Sequence, residues 1–276
     1  AKKAGDYLEI PPASGDTSAG SYIGRYWLVR GPDYGIIKIL VAGKVVVESA
    51  DLYAEEVMPT DIIGFGPLDL PEGAKTLRIE VIGKNEKSKG MKFGLYVEKT
   101  VPALIVPEAW KVIGPFPFDI TSPEESFKVA YPPEKEIKLD AKYDGKQDKI
   151  GWVDMPKSMV EGDDFQSIEF GRGILMPHGA TAYAVTTVAS PENMEAMLKL
   201  GHSKFTAIFL NGEKIYEKSV QRDYFADQDS AKVNLKKGSN TLLIKTSNTQ
   251  DLWKVGLRFA DAEGKPLKGL SFKKIE

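Results

Sequence analysis

The sequence predicts an all-β protein built from two tandem antiparallel β-sandwich domains. Three observations lead to this fold class. A hairpin followed by a strand pattern occurs twice, the two copies are a domain length apart, and turn signals recur about every 8 to 12 residues, a spacing typical of sandwich folds. Little helix is therefore expected.

The two hairpin copies share their strand composition and their turn. The first copy reads GIIKIL, a short turn and VVVE over residues 35–48, and the second reads FTAIFL, a short turn and KIYE over residues 205–217. Asn211 and Gly212 form the second turn, and Asn-Gly is a strong hairpin signal because this turn needs φ > 0 at both central residues. Gly43 meets the same demand in the first copy.

Each copy continues with the spacing L-x-x-G-x-x-T-L-x-I and ends on Gly-Leu. The shared positions are Leu70, Gly73, Thr76, Leu77, Ile79 and Gly94–Leu95 in the first copy, and Leu235, Gly238, Thr241, Leu242, Ile244 and Gly256–Leu257 in the second. A glycine after a polar turn, followed by alternating apolar residues, is typical of a strand leaving its turn. The copies lie roughly 165 residues apart, whereas solenoid repeats have periods of about 20 to 50 residues. This spacing predicts tandem domains.

We predict a first domain over residues 1–100, a linker over 101–109 and a second domain over 110–276. The linker places two prolines around an apolar run. This pattern is typical of an extended, docked connection and not of a flexible tether. The apolar residues 103–106 are therefore expected to pack into one or both domains.

Individual segments are interpreted by their periodicity. Residues 22–30 and 181–188 alternate and predict strands. Residues 51–59 are the one stretch of the first domain that could hold a helical turn, ended by the proline at its last position. Residues 191–200 fit either a strand or a short helix, because they contain glutamate and methionine, which are poor strand formers.

Composition argues against several classes of partner. The chain has 37 basic and 39 acidic residues and a net charge of −2, so neither nucleic acid nor an anionic membrane surface is an expected partner. The absence of cysteine excludes disulfides, thiol catalysis and thiolate metal sites. No apolar run approaches the about 18 residues of a membrane span, so membrane insertion is not expected. The start at Ala1, without a signal-peptide core, fits a mature or trimmed chain.

Catalytic motifs are sparse. The two histidines, His178 and His202, have no metal-ligand neighbour at i+2, i+3 or i+4, and both are expected in loops. No G-x-S-x-G nucleophile elbow is present. A glycosidase pair among the 39 acidic residues stays open, because two carboxylates can converge in space from any positions. We nevertheless predict that the protein is not an enzyme.

Several motifs resemble those of jelly-roll accessory modules. The second domain opens with W-x-x-x-GPF at 110–116 and carries GW at 151–152, FLNGEKIYE at 209–217 and L-x-x-GSNTLLIK-x-SN at 235–248. In these motifs it is similar to modules attached to secreted bacterial glycoside hydrolases. The first domain, through GPDYGIIKI, DLYAEEV, TLRIEVIGKN and KFGLYVE, is similar to another jelly-roll module of polysaccharide-degrading proteins.

The resemblance covers about residues 20–274 and implies two jelly-roll sandwiches, a secreted or periplasmic location and binding to carbohydrate. Three functions are open. The predicted one is a noncatalytic carbohydrate-binding module pair that tethers a larger secreted enzyme or surface protein to polysaccharide. Its partners are then polysaccharide or oligosaccharide and a catalytic domain of the same parent chain. The alternatives are a structural spacer without ligand and a glycoside hydrolase.

Calcium is the cofactor that the resemblance implies. Such modules often carry an acidic pair, DDG, before the hairpin strand, but this chain has HSKF at residues 202–205. Asp163 and Asp164, or a second set around residues 223–229, could supply oxygen ligands. No glycine-punctuated loop with regular acidic spacing is present, so the metal ligands stay unassigned.

Aromatic side chains are the expected sugar contacts, because sugar C–H faces stack on Trp or Tyr rings while polar groups bond hydroxyls at the rim. The predicted ligand-binding residues are Trp27, Tyr34 and Tyr53 in the first domain and Trp152, Arg222, Tyr224, Gln228 and Trp253 in the second. The alternative for each ring is a place in the core, since large aromatics are mostly buried. Trp110 is assigned to the core outright.

The loop QRDYFADQD at residues 221–229 is the favoured site, because it crowds polar side chains around one ring. The predicted pose stacks a sugar on Tyr224 or Trp253, with Arg222 at its rim. The alternative is that this loop is only a solvated connection.

Overall fold

The computed structural model describes residues 3–11, 20–61, 63–71, 73, 76–102, 107–161, 167–174, 178–250, 252–265, 267 and 269–276. Strands account for 53% of the structure and helices for 7%, so the predicted all-β class is confirmed. Within the described ranges every strand pairing is antiparallel apart from two isolated bridges, and no sheet closes into a barrel.

The chain divides into two compact units, Ala1–Ala103 and Leu104–Glu276. The predicted linker spans this division, and its apolar residues 103–106 lie outside the described residues. The strands of the first unit are β1 (Tyr7–Ile10), β2 (Gly20–Arg30), β3 (Ile36–Val41), β4 (Lys44–Asp51), β5 (Met58–Pro59), β6 (Ile63–Leu70), β7 (Leu77–Gly83) and β8 (Gly94–Pro102).

The described part of the second unit contains more strands and three short helices. Its strands are β9 (Lys111–Pro117), β10 (Lys142–Asp144), β11 (Lys149–Gly151), β12 (Val153–Asp154), β13 (Ile168–Glu169), β14 (Ala180–Ser190), β15 (Met194–His202), β16 (Phe205–Leu210), β17 (Glu213–Lys218), β18 (Asp229–Leu235), β19 (Gly238–Asn248), β20 (Lys254–Ala260) and β21 (Ser271–Lys273). Its helices are α1 (Pro123–Phe127), α2 (Pro132–Lys135) and α3 (Ser158–Glu161), and 3₁₀ turns cover Pro107–Ala109 and Phe170–Arg172.

The two units share one strand topology. In the first, one sheet has the order β1-β7-β3-β4, while in the other β2 pairs with β5, β6 and β8. In the second, the order β14-β19-β16-β17 recurs within a larger sheet, and β15 pairs with β18 and β20. The strands β1, β2, β3, β4, β6, β7 and β8 therefore correspond to β14, β15, β16, β17, β18, β19 and β20. The repeat found in the sequence therefore extends to a shared strand order.

The hairpins confirm the predicted turns. Ala42 and Gly43 have φ values of 48° and 78°, and Asn211 and Gly212 have values of 53° and 82°. Both turns thus use the left-handed region at two successive residues, as a two-residue hairpin turn requires. The register gives one correction: because the turns coincide, residues 36–41 correspond to 205–210, one position later than the sequence comparison suggests.

Burial differs between the two corresponding sheets. In β3 and β7 alternate residues are buried, as in a sheet with one solvated face. Every residue of β16 is buried. The second face of that strand belongs to an apolar cluster with residues from 113–152, among them Phe116, Phe127 and Trp152. Both faces of the larger sheet are consequently covered at β16.

Four further expectations can be compared with the structure. Residues 51–59 contain no helix and are partly extended, because β5 pairs with β2 there. Residues 194–200 lie in β15, so the strand interpretation is confirmed over that part of 191–200. Trp110 is fully buried, as expected. His202 was expected in a loop, but it is the last residue of β15 and has 0% exposure, so that expectation was wrong.

Candidate functional site

The predicted loop lies between β17 and β18 of the second unit, over residues 219–228. The backbone N–H of Arg222 donates to Ser203 O at 3.0 Å, and Ser203 links β15 to β16. The Ser203 hydroxyl donates to Leu252 O and accepts from the backbone N–H of Lys254, both at 2.9 Å. Ser203 therefore links the β15–β16 connection to the predicted loop and to the connection between β19 and β20.

Two of the predicted polar contacts hold this loop in place. The Arg222 guanidinium donates from Nε to His202 O at 3.2 Å and forms an ion pair with Asp229. The Gln228 side chain accepts from the His202 N–H at 3.2 Å and donates to Asp223 O at 2.7 Å. Arg222 and Gln228 thus act as clamps on the loop, and their predicted contact with sugar stays a prediction.

The loop is also held by an ion pair with β20 and by a close approach of its backbone to β15. Both carboxylate oxygens of Asp227 lie 3.1 Å from Arg258 Nε, which faces them from β20. A Cβ placed on Gly201 in β15 would lie 1.9 Å from Phe225 O. The loop therefore rests on the strand where only glycine leaves room for its backbone.

The loop presents two rings. Tyr224 is half-buried, its ring lies beside Gly201, and Lys254 Nζ is 5.9 Å from the ring centroid. Phe225 is 65% exposed. We call Tyr224 and Phe225 the aromatic platform. The sequence analysis selected Tyr224 and missed Phe225, although a phenylalanine inside an otherwise polar loop indicates a candidate exposed ring.

Two predicted tryptophans are buried. Trp253 is 0% exposed, its indole Nε1–H donates to Thr246 Oγ1 at 3.0 Å, and its ring centroid lies 5.4 Å from that of Phe170. Trp152 is 7% exposed and belongs to the apolar cluster that covers the larger sheet. Both predictions of an exposed ring were wrong, because each indole fills the core of its layer.

The predicted rings of the first unit are all half-buried. Trp27 lies on β2 opposite Val97. Tyr34 packs against the core of the unit, and Tyr53 forms an isolated bridge with Gly31. A Cβ on Gly31 would lie 3.1 Å from the Tyr34 ring, so that glycine brings Tyr34 and Tyr53 to one end of the sandwich.

A buried hydrogen-bond chain runs beneath the loop of the second unit. His202 Nδ1 lies 2.6 Å from Lys204 O, which can only accept, so Nδ1 carries a proton. The Tyr216 hydroxyl lies 2.7 Å from His202 Nε2 and 2.9 Å from Asp229 Oδ2. Its single proton can be donated to one of these acceptors at a time.

The charges of this chain follow from burial and from its partners. Burial lowers the pKa of His202 to about 4, although the bond to Lys204 O acts in the opposite direction. Burial alone would raise the pKa of Asp229, but hydrogen bonds from Lys218, Arg222 and Tyr216 outweigh it and hold that pKa well below its usual range. At neutral pH the imidazole is therefore neutral and the carboxylate charged.

Two of the acidic residues considered for calcium are paired with basic side chains. Asp227 pairs with Arg258, and Asp229 pairs with Lys218 and Arg222. Residues 163–164 lie outside the described residues. Among those described, no group of three or more His, Asp or Glu side chains is placed to hold a metal ion. None of the described helices is long and apolar enough to cross a membrane.

A cleft of 370 Å³ opens in the second unit, beside α2 and the turn between β16 and β17. Its lining residues are Pro133, Glu134, Lys135, Glu136, Ile137, Phe209, Asn211, Gly212, Thr241 and Leu243. Buried polar contacts hold α2 against the sheet here. Lys245 Nζ donates to Phe127 O, Val129 O and Glu134 Oε1, each at 2.8 Å, and the Tyr183 hydroxyl donates to the same Glu134 oxygen at 2.6 Å.

Comparisons with known proteins give low similarities. No family model and no curated protein matches the chain. Among solved structures, an anti-sigma factor domain-containing protein is similar with a TM-score of 0.35 and 10% identity, over 94% of this chain and 80% of that one. A Paenibacillus xanthan lyase has a TM-score of 0.36 and 14% identity, and the whole chain spans 23% of its length.

Carbohydrate-binding modules also occur among the similar structures. The tandem CBM51 modules of the family 98 glycoside hydrolase from Streptococcus pneumoniae have a TM-score of 0.26 and 11% identity, over 99% of this chain and 83% of theirs. Similarities at this level do not assign a family.

Proposed function

We propose that the protein is a noncatalytic carbohydrate-binding module pair that binds polysaccharide through the aromatic platform of its second unit. The observation that carries this proposal is the 65% exposure of Phe225 on a loop clamped at several points. A rigid, exposed ring offers an apolar surface to a sugar C–H face without an ordering cost on binding. The motif resemblance to accessory modules of polysaccharide-degrading proteins supports the same function.

The clamps explain why the loop suits this role. The Arg222–Asp229 and Asp227–Arg258 pairs, together with Gln228, fix its backbone from both sides. Tyr224 extends the surface beside Phe225. As part of the proposal, the chain is exported and is joined to a catalytic domain, because an accessory module acts by keeping an enzyme near insoluble substrate.

Affinity electrophoresis against a panel of plant, algal and bacterial polysaccharides tests the proposal. Wild type should be retarded by at least one polymer, and Phe225→Ala should weaken that retardation by about 5- to 100-fold in affinity, the equivalent of about 1–3 kcal/mol for a stacked ring. Val57→Ala is the matched control, since Val57 is 68% exposed in the corresponding loop of the first unit. Retardation by no polymer favours the spacer alternative, and release of reducing sugar from the panel would favour a hydrolase.

A further inference from the structure

A second binding site is suggested by the cleft at the opposite end of β17 from the platform. The turn at Asn211 and Gly212 precedes β17, whereas the platform loop follows it. The cleft volume of 370 Å³ lies within the range of about 300–1,000 Å³ that small-ligand pockets occupy. Its ligand would therefore be small, and it would not share contacts with the platform.

The floor of this cleft is more apolar than the corresponding surface of the first unit. Phe209 and Leu243 form it, with Ile137 from the covering segment. By strand register, Leu243 corresponds to Arg78, which forms ion pairs on the solvated face of its sheet. Phe209 corresponds to Leu40, so the floor differs from the first unit at Leu243, where an apolar residue replaces a charged one.

Glu134, which lines the cleft, has one carboxylate oxygen with no donor among the described residues. Glu134 Oε1 accepts from both Tyr183 and Lys245, while no bond to Oε2 is found there. The Asn211 side chain, by contrast, is already engaged, since it donates to Asn240 Oδ1 at 3.0 Å and accepts from the Thr241 N–H at 2.9 Å. Recognition at the cleft therefore centres on Glu134.

The charge of Glu134 is already balanced by the Lys245 ammonium. A cationic ligand would gain little from this neutral pair, whereas a hydroxyl group can donate to the remaining oxygen. The half-exposed Thr241 supplies a second hydroxyl-bonding group at the rim. An apolar floor with a hydroxyl acceptor matches a pyranose ring, which has a C–H face and hydroxyl edges.

We propose that this cleft is a binding site for an uncharged pyranose unit, separate from the platform. The C–H face lies on Phe209 and Leu243, and a ring hydroxyl donates to Glu134 Oε2. The proposal does not depend on polysaccharide binding by Phe225. The two can therefore fail independently.

Methyl β-D-glucoside, methyl β-D-galactoside, methyl α-D-mannoside and methyl β-D-xyloside are the probes. Each is titrated into the intact chain, and methyl signals of Ile137 and Leu243 are followed by NMR. At least one glycoside should shift both signals, and Phe225→Ala should behave as wild type. Thr241→Trp fills the mouth of the cleft and should weaken binding by about tenfold or more.

Lys135→Trp, from the exposed rim on α2, is the second filling variant in case Thr241→Trp disturbs the sheet. The proposal is overturned if no glycoside shifts Ile137 and Leu243 in wild type. It is also overturned if both folded filling variants bind as wild type does, or if the shifts disappear in Phe225→Ala.

Discussion

A row of three side chains occupies the same register position in each of the two corresponding sheets, but its solvent exposure differs between them. In the first unit it consists of Tyr7, Glu80 and Lys38, in register across β1, β7 and β3. In the second it consists of Tyr183, Lys245 and Ala207, in register across β14, β19 and β16. The first row is solvated, with Tyr7 54% exposed, whereas all three members of the second are buried.

The same strand pairing therefore leaves the outer face of the sheet either exposed to solvent or covered as core. In the first unit, ion pairs join Lys38 to Glu80 at 3.6 Å and Arg78 to Glu80 at 3.7 Å. In the second, residues 118–152 cover the face, and a lysine is placed where a glutamate stands in the first unit. Lys245 donates to backbone carbonyls of the covering segment, whereas Glu80 at the corresponding position forms ion pairs at the surface. We call this contact of Lys245 the anchor.

The largest expected effect is on this anchor. Lys245→Ala should destabilise the second unit by about 3–5 kcal/mol, because it removes the ammonium partner of Glu134, which keeps only the Tyr183 hydroxyl, and leaves the carbonyls of Phe127 and Val129 without their donor. Burial lowers the pKa of Lys245, with Glu134 acting against that shift. Urea unfolding followed by tryptophan fluorescence measures the loss, since three of the four tryptophans lie in this unit.

Glu80→Ala at the corresponding position is the matched control. Its ion pairs are partly solvated, and such pairs contribute about 0–1 kcal/mol. Equal losses in the two variants would mean that the covering segment does not depend on Lys245. Burial of the outer face would then add nothing to the contribution of this position to the free energy of unfolding.

A second contrast predicts a pH effect in one unit only. His202 corresponds by register to Arg30, and the first unit contains no histidine. The unfolded histidine gains a proton near pH 6.5, whereas the folded one does so only at about 4. Stability is therefore complete above pH 6.5 and falls between pH 6.5 and 4, by about 3 kcal/mol for this group.

NMR titration of the imidazole Cε1–H measures the pKa of His202 directly, and His178→Ala leaves a single histidine signal. Unfolding of wild type and His202→Gln at pH 7 and 4.5 then isolates its contribution, since the variant should lose less stability on acidification. A midpoint near 6.5 in the folded chain would contradict the buried, neutral imidazole.

The sequence predicted the local structure better than the site. The turns at Gly43 and Asn211-Gly212 need positive φ angles, which few residue types adopt readily, so the residues at these positions identify the turns. Exposure of Trp152 and Trp253 depends on contacts far apart in the chain, and neither periodicity nor turn chemistry reports it. For the same reason, the clamping roles of Arg222 and Gln228 were not visible.

The third expected effect concerns the support of the platform. Gly201→Ala should push the loop away from β15 and cost about 1–3 kcal/mol, as overpacking commonly does, because the new Cβ meets a backbone oxygen that cannot rotate away. Limited proteolysis within residues 219–228 should become faster. Val29, the corresponding residue of the first unit, already carries a side chain, so Val29→Ala should leave cleavage of this loop unchanged. Wild-type cleavage rates in Gly201→Ala would show that the loop rests elsewhere.

The smallest expected effect distinguishes the exposed ring from a core ring. Phe225→Ala should change the free energy of unfolding by less than about 0.5 kcal/mol, because its ring is 65% exposed. Trp253→Ala, whose ring is fully buried, should cost about 3–5 kcal/mol. Differential scanning calorimetry of both variants at pH 7 makes the comparison. If Phe225→Ala is as costly as Trp253→Ala, its ring packs against the protein in solution, and the surface proposed for polysaccharide is lost. If it is nearly neutral, any loss of polysaccharide affinity in the same variant reports contact with ligand and not a change in the fold.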